Sequence, residues 1–341
     1  MRSRLLLALA CGLSLAGCGG ADSGGEILTI YSPHGPDLLK AFETRFEERN
    51  PGVDVQWLDL GSQEVLDRIR SEKANPQADV WFGAPSALFA DAADEDLLEP
   101  YQPEWVAAIG ENAGPQGLYH GVYLTPEVIA YNTEAVDSAD VPRDWDDVLD
   151  PKWRGKVLIR DPIASGTMRT IFGMFIQRSL RATADTAAGF DWLRRLHAQT
   201  KEYTLNPTLL YQKLARQEGI ITLWDMPDIE PLKAQGYPID YVFPTSGTPM
   251  VVDGIAIVKG APNPDLAKRF VDYIGSQEGM LVAAREFYRL PARSDIPADS
   301  LTPVLRRARE EIKPEPMDWK LLQEQGPNWM RYWDEHVRSA R

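Results

Sequence analysis

Only two of the 341 residues are cysteine, Cys11 and Cys18, and both precede residue 20. The body of the chain therefore holds no disulfide framework, thiolate metal site or cysteine nucleophile. Histidine is also scarce: His34, His120, His197 and His336 show no metal-ligand spacing, and neither an H-E-x-x-H helix nor a G-x-S-x-G elbow occurs. Positive charge is in deficit, with 36 Lys and Arg against 50 Asp and Glu, a formal charge of −14. A general nucleic-acid binder needs a basic face, and this balance argues against one. It leaves an anionic ligand open, because backbone amides bind anions inside acidic proteins. Beyond the N-terminus no apolar run is long enough to cross a bilayer, and there is no internal repeat. The remainder, 44% hydrophobic and 25% charged, is ordinary globular composition, and the length predicts two domains with sizeable cores.

The N-terminus reads as an address. Arg2 and Arg4 precede an apolar run from Leu5 to Ala16, about 12 residues and short of the ~20 that span a bilayer. Leu15-Ala16-Gly17-Cys18 resembles a bacterial lipobox, so residues 1–17 are expected to be a signal peptide and Cys18 a lipidated first residue. Residues 18–25, Gly- and Ser-rich, are then a tether. Cleavage leaves 34 basic against 50 acidic side chains, a charge of −16.

From Glu26 short strands alternate with amphipathic helices. Ile27–Tyr31 predicts a strand, and Pro36 opens a helix with Leu38, Leu39, Phe42 and Phe46 on one face, stopped by Asn50-Pro51-Gly52. Val53–Trp57 alternates as a strand, Val65, Leu66 and Ile69 mark a helix, and Ala78–Gly83 is a third strand. This order predicts a parallel sheet flanked by helices, with ligands beyond the carboxyl ends of its strands. Further strands are expected at Val128–Asn132, Lys156–Arg160, Gly219–Trp224 and Gly254–Val258, and a Pro-broken helical tail from Leu301 pinned by Trp319, Trp329 and Trp333.

Four stretches, Leu28–Ser32, Ala78–Gly83, Asp161–Thr167 and Gly247–Ala261, resemble in order and spacing the solute-binding proteins of bacterial ABC importers, the branch that includes ferric-ion and phosphonate binders. The resemblance implies a two-lobed α/β periplasmic-binding fold of type II, each lobe a mainly parallel sheet flanked by helices, with the ligand cleft between them. It implies chain crossovers near 121–128 and 246–253. Lobe one is then 26–123 with 252–300, lobe two 126–248, and residues 301–341 are C-terminal helices resting on either lobe. The implied partners are a small-molecule solute, a permease with its ATPase, and a membrane reached through the lipid; the chain is read as a monomer with no cofactor and no catalysis.

The candidate ligand-binding residues follow from strand ends. Ser165-Gly166-Thr167 stands between a strand and a helix start, where free N–H groups, the positive helix end and two hydroxyls suit a phosphate-like or carboxylate group. Capping alone also explains those hydroxyls. Arg160 and Arg169 are nearby cations. Ser32 and His34 follow the first strand; Gly83 and Ala84, after the third, offer only backbone N–H groups. Trp224 and Asp225 end a strand that the fold turns toward the cleft, as stacker and acceptor or as core and cap, and Asp253 is a candidate of the same kind. Ferric-binding relatives use adjacent tyrosines, and no Tyr-Tyr pair occurs here; the corresponding stretch is Leu223–Asp228. The expected solute is thus a phosphonate, phosphate ester or similar anion captured by hinge closure. Ferric ion is the alternative, with a sensor subunit or an exported hydrolase behind it.

Overall fold

The computed structural model describes residues 25–339. The signal segment, Cys18 and most of the tether lie outside the described residues. The chain opens with β1 (Glu26–Ser32), α1 (Pro36–Arg49), β2 (Val53–Asp59), α2 (Ser62–Ser71), β3 (Val80–Pro85) and α3 (Ser86–Asp94), the alternation read from the sequence. On α1 the four apolar residues at helical spacing are all buried, Pro36 sits in the first turn where its missing N–H costs nothing, and Gly52 turns the chain with φ +94°. A two-residue β4 (Leu98–Glu99) precedes the long β5 (His120–Asn132).

The middle of the chain gives β6 (Val157–Arg160), α4 (Gly166–Thr183), α5 (Ala187–Gln199), β7 (Thr200–Thr204), α6 (Pro207–Ala215), β8 (Ile221–Asp225), α7 (Met226–Ala234) and β9 (Ile239–Val242). There follow β10 (Met250–Val258), α8 (Pro264–Gly275), α9 (Gln277–Phe287), β11 (Leu290–Pro291), α10 (Pro303–Glu311) and α11 (Trp319–Trp333). Pro314 and Pro316 separate the last two helices, but Pro327 lies inside α11 rather than breaking it.

The strands run in the order β2-β1-β3-β10-β5-β8-β6-β7. Each half has a parallel trio: β1 pairs β2 and β3, and β6 pairs β7 and β8. To these the shared strands add antiparallel neighbours, which alternation of strand and helix does not announce. β10 lies antiparallel between β3 and β5, and β5 changes partner along its length, meeting β10 up to Pro126 and β8 from Glu127. One chain thus carries the sheet from the first half to the second. The other passage, Gly247–Pro249, is held by the C-terminal segment. Thr248 N donates to Lys313 O and Glu315 N to Thr248 O, both at 2.8 Å, while Trp145 Nε1 donates to Gly247 O at 2.8 Å. Glu315 is itself fixed by ion pairs to Arg178 and Arg181.

Candidate functional site

Chain ends meet where the two parallel trios face each other. The first residues of α2 (Ser62), α4 (Gly166), α6 (Pro207) and α7 (Asp225 as its cap), with the Ala84-Pro85 turn before α3, line one cavity of about 220 Å³. Parallel strands followed by helices put every such turn at the same edge, which is why these segments converge although they are far apart in sequence. A Cβ placed on Gly166 would lie 3.4 Å from the Pro85 ring, so the α4 end and the β3–α3 turn approach across the cleft to van der Waals distance.

One wall gathers hydrogen-bond donors. Ser165 is 6% exposed and caps α4, its Oγ accepting from Met168 N at 3.2 Å. That bond uses a lone pair and leaves the hydroxyl proton free to donate. Gly166 and Thr167 follow in the first turn, where unsatisfied N–H groups and the helix dipole favour negative charge by about 0.3–1 kcal/mol, up to ~2 when partly buried. Arg160 lines the same wall, with Nη1 donating to Thr204 O at 3.3 Å.

The floor is acidic and holds one arginine. Asp225 caps α7, accepting from Asp228 N at 3.1 Å, and Asp253 accepts from the Thr125 hydroxyl at 2.6 Å. Arg289 enters beside β11 and stands 3.6 Å from Asp228. Burial alone would lower the Arg289 pKa, but Asp228, Asp253 and Asp225 more than offset this and raise it. Burial raises Asp253, with Arg289 and Thr125 pulling it back, and burial followed by Asp228 holds Asp225 well above the carboxylate range. Beneath them Glu127 faces Asp225 across the strand pair, fully buried, with neither carboxylate oxygen hydrogen-bonded. Burial, then Asp225, Asp253 and Asp228, put its pKa well above the ordinary value. The site therefore favours the protonated, neutral form of Glu127.

The candidates read from the sequence divide. His34, Ala84, Ser165, Gly166, Thr167, Trp224, Asp225 and Asp253 all line the cavity. Trp224 is nevertheless mostly core, 4% exposed, its Nε1 donating to the Tyr211 hydroxyl at 2.7 Å and to Asp228 at 3.2 Å. Ser32 and Gly83 stand behind the lining. The Ser32 hydroxyl is fully buried and accepts from His34 N at 3.2 Å. Gly83 makes room for a ring: a Cβ there, at φ +91°, would sit 2.5 Å from His34 Nε2. Burial, then Arg289, keep the His34 pKa well below 6.5, so the imidazole is neutral. Ala84, next along, holds φ +93°, a strained value for a residue with a side chain. Arg169 is not part of the lining; it bonds Ile163 O at 3.1 Å and packs against Gly326 of α11.

Sequence reasoning missed Arg289, Asp228, Thr125 and Glu127. For Asp228 there was a signal, the cap spacing Asp225-Met226-Pro227-Asp228. Arg289 reaches the floor because Tyr288 turns the chain at φ +54° and Leu290 pairs with Leu124 on β5, a contact across 166 residues that no local pattern announces.

Residues 75–324, more than half of the chain, match the family described as bacterial extracellular solute-binding protein. Among curated relatives, a probable ABC transporter periplasmic-binding protein of Sinorhizobium fredii is 27% identical over 92% of this chain and 87% of its own length. Iron uptake protein A1 of Synechocystis is 25% identical over 81% of this chain and 79% of its own. Among solved structures, the periplasmic binding protein AfuA of Actinobacillus pleuropneumoniae, with fructose-6-phosphate bound, aligns with TM-score 0.80 and 27% identity over 92% of this chain and 99% of that one. Its two-sided cleft, shared fold and matched residues together mean that the chain belongs to the bacterial extracellular solute-binding protein family.

Proposed function

We propose that this chain is the solute-capturing component of an ABC importer and that its solute is a small organic phosphate or phosphonate. One observation carries the choice of solute: the α4 end, with the Ser165 hydroxyl, the first-turn N–H groups and Arg160, forms an anion wall that closes against Pro85. Opposite it, Asp225, Asp228 and Asp253 suit the hydroxyl or amino groups of the rest of the molecule. Capture needs only hinge closure and hydrogen bonding, with no covalent step. The lobes are taken as 26–123 with 252–300, and 126–248. Partner change on β5 at Pro126–Glu127 and the passage at Gly247–Pro249 support that division. Cys18 is taken as the lipid anchor that keeps a monomeric chain beside its permease.

The likeness to a phosphate-ester binder supports the reading, and ferric ion fits less well. Tyr211, the phenol beside Asp225 and Asp228, donates to Asp228 at 2.6 Å and accepts from Trp224. Both hydrogen-bonding roles of that hydroxyl are thus already filled within the protein, and no second tyrosine is adjacent to it in the sequence.

The test is a thermal-melt panel on the chain begun at Gly19, with sugar phosphates, phosphonates, inorganic phosphate and ferric citrate. A true ligand at 100 times its Kd adds about 2.7 kcal/mol. A shift confined to phosphorylated or phosphonate compounds, lost at least about 100-fold in affinity in Gly166→Asp, is the expected result. A shift with ferric citrate alone, or an affinity that Gly166→Asp leaves unchanged, overturns it.

A further inference from the structure

α11 is held very differently on its two sides. Toward α4 the packing is as close as glycine allows: a Cβ on Gly173 would lie 2.3 Å from Leu322 Cδ1. Trp333 is fully buried, edge-on to Phe172 at 5.4 Å and to Tyr203 at 5.1 Å. Gln177 and Asp318 exchange two 2.8 Å hydrogen bonds, and just beyond the helix Arg338 pairs with Asp161 at 2.7 Å. The helix is therefore part of the body built on β6–β8 and travels with it.

Toward α3, on the other body, α11 is tied by a hydrogen bond in a loosely filled seam. Gln323 Nε2 donates to Asp91 Oδ1 at 2.6 Å. Beside that bond a cavity of about 300 Å³, open to solvent, is lined by Gln323 and Trp319 of α11, by Ser86 of α3 and by Tyr119. A permanent interface is packed like a protein interior, with few voids larger than a water molecule. Here the contact rests on one side-chain hydrogen bond beside an open cavity, which can break without disrupting a packed core. Charge supports the same contact: Arg169, packed under Gly326 of α11, attracts Asp91 from the far side of the seam.

We propose that Gln323 and Asp91 form a clasp between the lobes, made when the cleft shuts and broken when it opens, which sets solute affinity without touching the solute. They are positioning residues. An interaction present only in the closed form shifts the open–closed equilibrium by its own strength and changes affinity for every solute by the same factor. From the functional reading the inference takes only that the lobes move.

The experiment exchanges donor and acceptor. Gln323→Glu sets two carboxylates face to face, whereas Asp91→Asn with Gln323→Glu rebuilds the bond with its roles reversed and keeps a carboxylate near Arg169. Small-angle X-ray scattering of the solute-free protein is expected to give a larger radius of gyration for the single variant and the wild-type value for the double. Cooperative melts for both exclude misfolding. With fructose 6-phosphate as probe, the single variant should bind about tenfold more weakly and the double should recover. An unchanged radius in Gln323→Glu, or an expansion that the double variant fails to reverse, overturns the clasp. The scattering needs no solute, so failure of fructose 6-phosphate to bind bears on the solute reading alone.

Discussion

Replacing Glu127 by glutamine separates a charge effect from a shape effect at the floor of the cleft. The side chain is fully buried, both oxygens lack partners, and burial with three neighbouring aspartates raises its pKa well above the ordinary 4.5. Unfolding returns the carboxyl to that ordinary value. A raised folded value means that the fold holds the proton more tightly than the unfolded chain does. The stability it contributes is fully present below about pH 4.5 and is lost as pH rises toward the folded value. The slope is about 1.4 kcal/mol per pH unit, so between pH 4.5 and pH 7 the loss is at most about 3.4 kcal/mol. Glutamine keeps the shape and removes the titration, although its buried amide forgoes about 1 kcal/mol for want of a partner. Glu127→Gln should therefore be more stable than wild type at pH 7, by at most about 2 kcal/mol or roughly 4 °C in Tm for a chain of this size. That advantage should shrink as pH falls, vanish near about pH 5 and become a deficit of about 1 kcal/mol below about pH 4.5. Differential scanning calorimetry of both proteins from pH 4.5 to 8 reads it directly. A difference that is the same at every pH, or a wild type more stable at pH 7.5, would refute the reasoning and mean that Glu127 is ionised in the fold.

Three other substitutions probe the stability of the same region. Ala84→Gly should raise stability by about 1 kcal/mol, because glycine holds φ +93° without the strain that alanine stores there; a lower Tm would contradict this. Gly83→Ala should cost about 2–4 kcal/mol, since its Cβ would meet the His34 ring 2.5 Å away and φ is also positive. A neutral result would show that the ring moves aside freely. Arg289→Met leaves a buried acidic floor without its cation and should cost about 3–5 kcal/mol at pH 7, less toward pH 4 as the carboxylates discharge. Urea unfolding at both pH values checks it, and equal losses at the two would count against the ion pairing.

The sequence disclosed local matters well and distant ones poorly. The α1 face, the β1–β3 alternation and the cap at Ser165 rest on residues within one or two turns of each other, where periodicity and capping chemistry act. So does the wall of the cleft, because a helix end after a strand end is a local event. The floor is otherwise. Thr125, Asp253 and Arg289 come together through antiparallel pairing of β10 and β11 on β5, and register across more than 100 residues leaves no mark in a window of 15. Ser32 and Gly83 sat beside the lining for a related reason. At a strand end, alternation decides which side chain faces the ligand, and for Gly83 the bulge between Asp253 and Ile255 on neighbouring β10 shifts that phase. Trp224 and Asp225 serve as core and cap while also bordering the cavity, so the two readings were never exclusive.

The place of β10 between β3 and β5 has a consequence for how the chain assembles. As synthesis proceeds, β1–β3 and β5 emerge long before their common neighbour, which is complete only at Val258. Until then the first sheet has a vacant track with unpaired amides on both sides, while α4–α7 and β6–β9 already contain all of their own parallel partners. Pairing across such sequence distances is intrinsically slow. The parallel sheet of the inserted body is therefore free to pair early, although α11 closes its core only at the end of the chain, and the outer body waits for a strand that threads between two others. For a protein of a family that works outside the cytoplasm, such a topology favours a nascent chain that stays open until its last sheet partner arrives.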